Sequence, residues 1–253
     1  SGVGSAGADR EDGMRAPGTR TARPTAALRA FAGMLALVVV PVGTGGCADA
    51  RVPAPAALPA AAPVTRSVDC QVPPGAVAAR VLVVLARGTR AEVSACRREG
   101  AGYRRDLGPY AGRVGRGGVA RSGTKREGDG RTPAGTFPLR EGFGTAVDPG
   151  LRLGWFAVDG RDVWVDDPAS PLYNTRQRAP ARGRWASAER LRIRAYRLAQ
   201  VIGYNEERTA GLGSAIFLHL DTGQPTAGCV AVSATALRAI MRWERPGTVI
   251  SIR

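Results

Sequence analysis

The hydrophobic positions of this chain fall into three regimes. Residues 31–42 form one unbroken apolar run with no polar face. Residues 51–65 are mostly Ala and Pro with no period at all. From Cys70 onward, short apolar stretches alternate with glycine-rich turns. Residues 77–85 are β-branched and apolar, and predict a buried strand. Alternating stretches at 91–97 and 103–107 predict two more, separated by turns at 100–102 and 115–118. Residues 153–158 and 161–165 pattern as a hairpin about Asp159-Gly160. The first sustained 3.6-residue period spans 188–201, with Leu191, Tyr196, Leu198 and Val201 on one face and Ser187 at the N-cap. Residues 214–220 predict another buried strand, Ser233 caps a helix running to Trp243, and 248–253 close as a strand. Many short strands with two late helices predict one mainly β domain over 69–253 rather than alternating βαβ units.

The first regime predicts an export signal over residues 1–50. Arg15, Arg20, Arg23 and Arg29 precede the 12-residue run, and Gly43-Thr44-Gly45-Gly46-Cys47-Ala48-Asp49-Ala50 follows it. That is a positive region, an apolar region and a small-residue cleavage zone, in that order. The run is shorter than the ~20 residues a membrane-spanning helix needs. Two exits are readable: a lipoprotein with Cys47 as the lipidated first residue, or cleavage after Ala50. Residues 51–68 are then an extended, semi-rigid Ala/Pro linker. The expected location is the cell envelope, outer face or wall, with membrane contact only through the N-terminal lipid.

Charge narrows the partners less than the pattern does. There are 36 Lys+Arg against 21 Asp+Glu, a net +15, and Lys125 is the only lysine. Such a chain is drawn to polyanions, anionic cell-wall polymers among them. The arginines are scattered, and zinc-ligand spacing, aromatic RNA motifs and a helix-turn-helix pattern are absent, so nucleic acid is not an expected partner.

The scarce residues carry the candidate chemistry. The single histidine, His219, ends an apolar strand, and Cys229 follows ten residues later in Pro225-Thr226-Ala227-Gly228-Cys229-Val230. A catalytic thiol needs a base, backbone N–H groups to hold an oxyanion, and access to substrate. A strand-end histidine facing a cysteine in a glycine turn supplies the first. Gly228 allows the close backbone approach that the second requires. The same two residues also fit a plain core histidine and a buried free thiol.

A second segment decides between these readings. Asp129-Gly130-Arg131-Thr132-Pro133-Ala134-Gly135-Thr136-Phe137 resembles the D-G-x-T-P-x-G-x-F signature of the L,D-transpeptidase (YkuD-like) catalytic domain family. His219 and the Thr226–Cys229 stretch stand, in order, where that family keeps its histidine and its [S/T]-x-G-C loop. The resemblance implies a β-sandwich-like catalytic domain that acts on peptidoglycan stem peptides and needs no metal or organic cofactor. It implies Cys229 as nucleophile and His219 as base and later acid, with the N–H groups of Cys229 and Gly228 as the oxyanion hole. Thr226 and Ala227 would then meet the substrate. Ala227 stands where the family commonly has a second histidine, and Ala231 where Arg or Asn is common. The short loop with Gly-Cys-x-Ala resembles the YafK-like branch, some of whose members are associated with hydrolysis. Arg126 and Arg131 are the expected replacements for the missing polar groups, because guanidinium pairs bidentately with carboxylate. A non-catalytic cationic wall-binding protein is the reading from another class.

The remaining cysteines suit an oxidising compartment. Cys70 and Cys96 predict a disulfide, the alternative being two free buried thiols. Asp166-Asp167 read as a solvated turn before Pro168, Tyr204-Asn205 as packing and turn residues, and residues 176–184 as a solvated arginine loop.

Overall fold

A computed structural model describes residues 70–253; the predicted signal, the linker and Cys47 lie outside the described residues. Three long strands open the fold: β1 (Arg80–Arg87), β2 (Arg90–Glu99) and β3 (Gly102–Arg113) form an antiparallel meander. β4 (Gly135–Gly144) and β5 (Trp155–Ala157) follow, then β6 (Asp162–Val165), β7 (Arg176–Arg178) and β8 (Ala188–Arg190). The last third holds β9 (Ala199–Ile202), β10 (Phe217–Leu220), β11 (Val230–Val232), helix α1 (Ala234–Trp243) and β12 (Val249–Ile252). The main sheet runs β12-β1-β2-β3-β11-β10-β9-β4-β5, and β4 pairs back onto β12. Eight strands therefore close a ring, with β5 as a branch from β4. Closure removes exposed edges from those eight strands. β6, β7 and β8 form a separate small sheet. The architecture is the mainly β, sandwich-type fold expected, with one late helix rather than two.

The meander shows why residues 81–84 are apolar without alternation. Leu82 and Val84 enter the main core, while Val81 and Val83 face the other side and are equally buried. Residues 70–78 cover that second side. They are tied down by the Cys70–Cys96 disulfide and by the Tyr103 hydroxyl, which donates toward the carbonyls of Ala76 and Ala78. Val77, placed in the strand by its pattern, instead lies in this covering segment and is 89% exposed.

Helix α1 is where local signals and structure coincide. The Ser233 hydroxyl accepts the Ala236 N–H at 3.2 Å, and Ala236, Leu237, Ile240 and Met241 are buried on one face. The predicted helix at 188–201 is instead β8, one turn of 3-10 helix (Ala195–Arg197) and β9. Its apolar residues are buried as expected, but β8 pairs with β6, and β9 with both β4 and β10. Neighbouring strands thus supply the backbone partners at both ends, and tertiary context overrides a modest local period. Two further expectations change in the same way. β5 and β6 do not form a hairpin, because β5 pairs in parallel with β4 while β6 pairs with β7 and β8. Residues 176–178 are a strand rather than a solvated loop. Arg176 and Arg178 both reach the buried carboxylate of Asp162, at 2.7 and 3.2 Å, and a buried charge needs such partners.

Candidate active site

Cys229 is the residue before β11, whose three residues are wholly buried between β10 and β3. Its carbonyl oxygen accepts two threonine hydroxyls, Thr226 at 2.7 Å and Thr132 at 3.1 Å. Each hydroxyl in turn accepts a backbone N–H, Gly228 to Thr226 at 3.1 Å and Gly115 to Thr132 at 2.8 Å. A hydroxyl that both donates and accepts is fixed in orientation, so the cysteine backbone is clamped from two loops. Thr132 belongs to the signature segment, which therefore supports the cysteine from beneath. The Gly228 N–H donates to the Thr226 hydroxyl, while Gly228 itself lines the cavity beside Cys229. The requirement for glycine at 228 is steric: a Cβ there would stand 3.1 Å from the Arg131 carbonyl and 3.3 Å from Ile216 Cδ1.

The thiol itself sits in a backbone cradle. Sγ accepts the Phe217 N–H at 3.3 Å, and the S–H donates to the Ala215 carbonyl at 3.3 Å. Ala215 adopts φ +52°, a left-handed conformation uncommon for a residue with a side chain. Its N–H donates to Asn174 Oδ1 at 3.1 Å, and that oxygen also accepts Trp164 Nε1 at 2.8 Å. The unusual turn is thus held from a second element, and it aims the Ala215 carbonyl at the thiol.

His219 lies in β10, in register with Ala231 of β11 and Ala199 of β9. Its Nδ1 is 2.9 Å from the Leu220 carbonyl, which can only accept, so Nδ1 carries the proton and Nε2 presents a lone pair. The ring meets Tyr196 edge-on, with centroids 5.2 Å apart. Burial lowers its pKa, against smaller opposing effects of the Leu220 carbonyl and Asp221, and keeps the imidazole neutral.

A cavity of about 410 Å³ collects these groups. Cys229, His219, Thr226, Ala227 and Gly228 all line it. Arg126 and Arg131 do not: both are exposed, and Arg126 spends its guanidinium on the carbonyls of Gly123 and Lys125. The cations on the cavity wall are Arg116 and Lys125. Lys125 is 5% exposed, paired with Asp129 at 2.8 Å, and that carboxylate also accepts the N–H groups of Arg126 and Arg131. As the only lysine in an arginine-rich chain it carried a signal that composition alone does not interpret. The sequence reading also missed Tyr196, Glu189, Glu127 and Asp166, which complete the wall. The local period puts Tyr196 on a helix face, and the acidic residues come from three separate segments.

Burial and the charge of Glu189 oppose ionisation of the thiol. Burial, followed by the negative charge of Glu189, pushes the Cys229 thiol up to about 12, against the Phe217 N–H, the Tyr196 hydroxyl and Lys125. Burial also raises Glu189 to about 7, assisted by the charges of Asp166 and Glu127 and opposed by the Tyr196 hydrogen bond. The resting site therefore holds a neutral thiol, a neutral imidazole and a carboxyl that titrates near neutrality. Such a thiol reacts only if a neighbour takes its proton.

A larger cavity, about 760 Å³, lies against β1, β2 and β3 and contains neither Cys229 nor His219. Arg87, Arg90, Arg113 and Arg253 line it together with Glu92 and Asp221.

Residues 100–252 match the YkuD family, the L,D-transpeptidase catalytic domain, and the chain belongs to that family. Neither a curated protein nor a solved structure gives a significant match. The matched stretch begins just before β3 and covers both the signature segment and the cysteine loop.

Proposed function

We propose that this L,D-transpeptidase-family chain is an exported cysteine enzyme that uses Cys229 to form a thioester with peptidoglycan stem peptides. The observation that carries the reading is the cavity in which the only histidine of the chain and the only undisulfided cysteine among the described residues face one open space. In the reaction, the Cys229 thiolate attacks the L,D-amide before the terminal D-Ala. His219 Nε2 takes the thiol proton and returns it to the leaving amine. The thioester then passes to a side-chain amine of a second stem. The Cys229 N–H is the oxyanion donor, and Arg116, on the cavity wall, supplies the positive charge for a substrate carboxylate. The Cys70–Cys96 bridge suits an exported setting, since disulfides persist in oxidising compartments.

Hydrolysis at the same site, as in the YafK-like branch, is the second reading. Ala227, at the exposed mouth, and Ala231, buried within β11, carry no polar group to hold an acceptor. A wall-binding role for the arginine-lined cavity is compatible with either chemistry.

Incubation with muropeptide tetrapeptides, read by mass spectrometry beside Cys229→Ala, tests the proposal. A cross-linked or amine-exchanged product that depends on Cys229 is expected. Cys229-dependent loss of D-Ala with addition of water would replace transfer by hydrolysis. Absence of any conversion would overturn the enzymatic reading on this substrate.

A further inference from the structure

We propose that Tyr196 and Glu189 form a second proton-accepting route for Cys229, carrying the thiol proton through the tyrosine hydroxyl to the carboxylate. This rests on the reading of Cys229 as a nucleophile, and adds a base that the His219 assignment does not include.

Glu189 lies in β8, opposite Trp164 of β6, and Tyr196 lies in the 3-10 turn that follows. The Tyr196 hydroxyl donates to Glu189 Oε1 at 2.5 Å, the short distance of a bond to a charged acceptor. The Tyr196 ring packs in the same buried cluster as Cys229, and its hydroxyl lowers the thiol's pKa, a smaller effect than the burial that raises it. Tyr196, Glu189, Cys229 and His219 all line one cavity.

The transfer balances in atoms and charge. The S–H swings from the Ala215 carbonyl toward the tyrosine oxygen, and the S–H bond breaks as that oxygen takes the proton. The original Tyr196 O–H bond breaks as its proton passes to Glu189. The products are a thiolate, an unchanged tyrosine and a neutral carboxylic acid. One negative charge enters and one remains. The carboxylate that repelled the thiolate is discharged in the same event, so the repulsion is removed when it would cost most. A carboxyl raised to about 7 by burial is also a stronger base than an ordinary one. The groups facing Glu189 are Tyr196 from the 3-10 turn, Asp166 after β6, Glu127 from the loop before the signature segment and Cys229 before β11, with Lys125, Arg116 and His219 on the same wall.

The test is the pH dependence of Cys229 alkylation by iodoacetamide in the full protein, which needs no peptidoglycan substrate. Wild type is compared with Glu189→Gln and Tyr196→Phe, each checked for an unchanged melting temperature. A carboxylate that only repels the thiolate would make Glu189→Gln faster, because removing its charge lowers the thiol pKa. The relay requires the opposite. Glu189→Gln and Tyr196→Phe should each slow alkylation at pH 8 by about tenfold or more, the low end of what a positioned base contributes. The limb near pH 7 should disappear from both variants, and the double variant should be no slower than either. Faster alkylation of Glu189→Gln, or rates within about twofold of wild type in both variants, would overturn the relay. Those outcomes are independent of the muropeptide assay, so a failed relay and a failed substrate assignment are told apart.

Discussion

β9 and β10 separate two interiors of opposite character. On one face, Leu198, Ile202, Ile216 and Leu218 join the aliphatic core beneath α1. On the other, Ala199, Val201, Ala215 and Phe217 join an aromatic cluster with Phe143, Trp164 and Tyr196 that carries Cys229. The residues lie in these strands or directly before them, and they alternate. Each interior also holds an ionisable group. Glu244, fully buried on the core side, is sealed against Gln200 Nε2 at 2.6 Å. Glu189, on the aromatic side, opens to a cavity and a nucleophile. Burial raises both carboxyls, Glu244 to about 8 and Glu189 to about 7. A shifted pKa therefore marks burial, and only the cavity beside it marks a candidate for chemistry. Aromatic side chains suit the second interior because Tyr and Trp combine an apolar body with a polar tip.

The sharpest test of this division is a pair of substitutions. Leu82→Ala should remove ~2–5 kcal/mol of stability, the usual cost of a core cavity, while turnover per folded molecule is unchanged. Cys229→Ala should do the reverse, abolishing conversion by about 10³-fold or more while denaturant unfolding shifts by less than ~1 kcal/mol. If Cys229→Ala unfolds the protein as Leu82→Ala does, the two interiors do not differ as described.

The next effect in size is at Glu244. Its pKa is raised from the ordinary 4.5 to about 8, so the folded state holds a proton that the unfolded chain releases. Its contribution to stability is present at low pH and is lost as pH rises from about 4.5 to about 8. Glu244→Gln should flatten that slope, gaining on the order of 3 kcal/mol relative to wild type between pH 5 and 8. Melting curves across that range measure it, and parallel curves for the two proteins would sink the assignment.

Thr132→Val asks whether the clamp on Cys229 belongs to folding or to the site. Losing the hydroxyl strands the Gly115 N–H and should cost ~1–3 kcal/mol, with a fall in kcat at unchanged KM. Stability loss with full activity would make the signature threonine purely structural. The smallest effect is at the cap of α1, on the core side. Ser233→Ala should cost ~1 kcal/mol in chemical denaturation and leave activity alone.

What was legible in the sequence was local or scarce. The Ser233 cap and the helix to Trp243 depend on residues within one turn of each other, and they occur where the pattern put them. His219 and Cys229 stood out by rarity and by spacing, and parallel pairing of β10 and β11 brings their segments side by side. Misread segments had their partners far away in the chain. Residues 188–201 carry a helical period, yet their backbone groups pair with β4, β6 and β10. Arg126 and Arg131 place charge near the signature, but their backbone N–H groups are what the turn uses, at Asp129. The sequence by itself determined the mainly β class, the two chemical segments and their order, because hydrophobic alternation and rare side chains are properties of the chain. Only the tertiary structure decided which charges face the thiol. Arg116, the Lys125–Glu127 loop, Asp166 and Glu189 come from separate stretches of the chain, and distance through space, not along the chain, sets their field at Cys229.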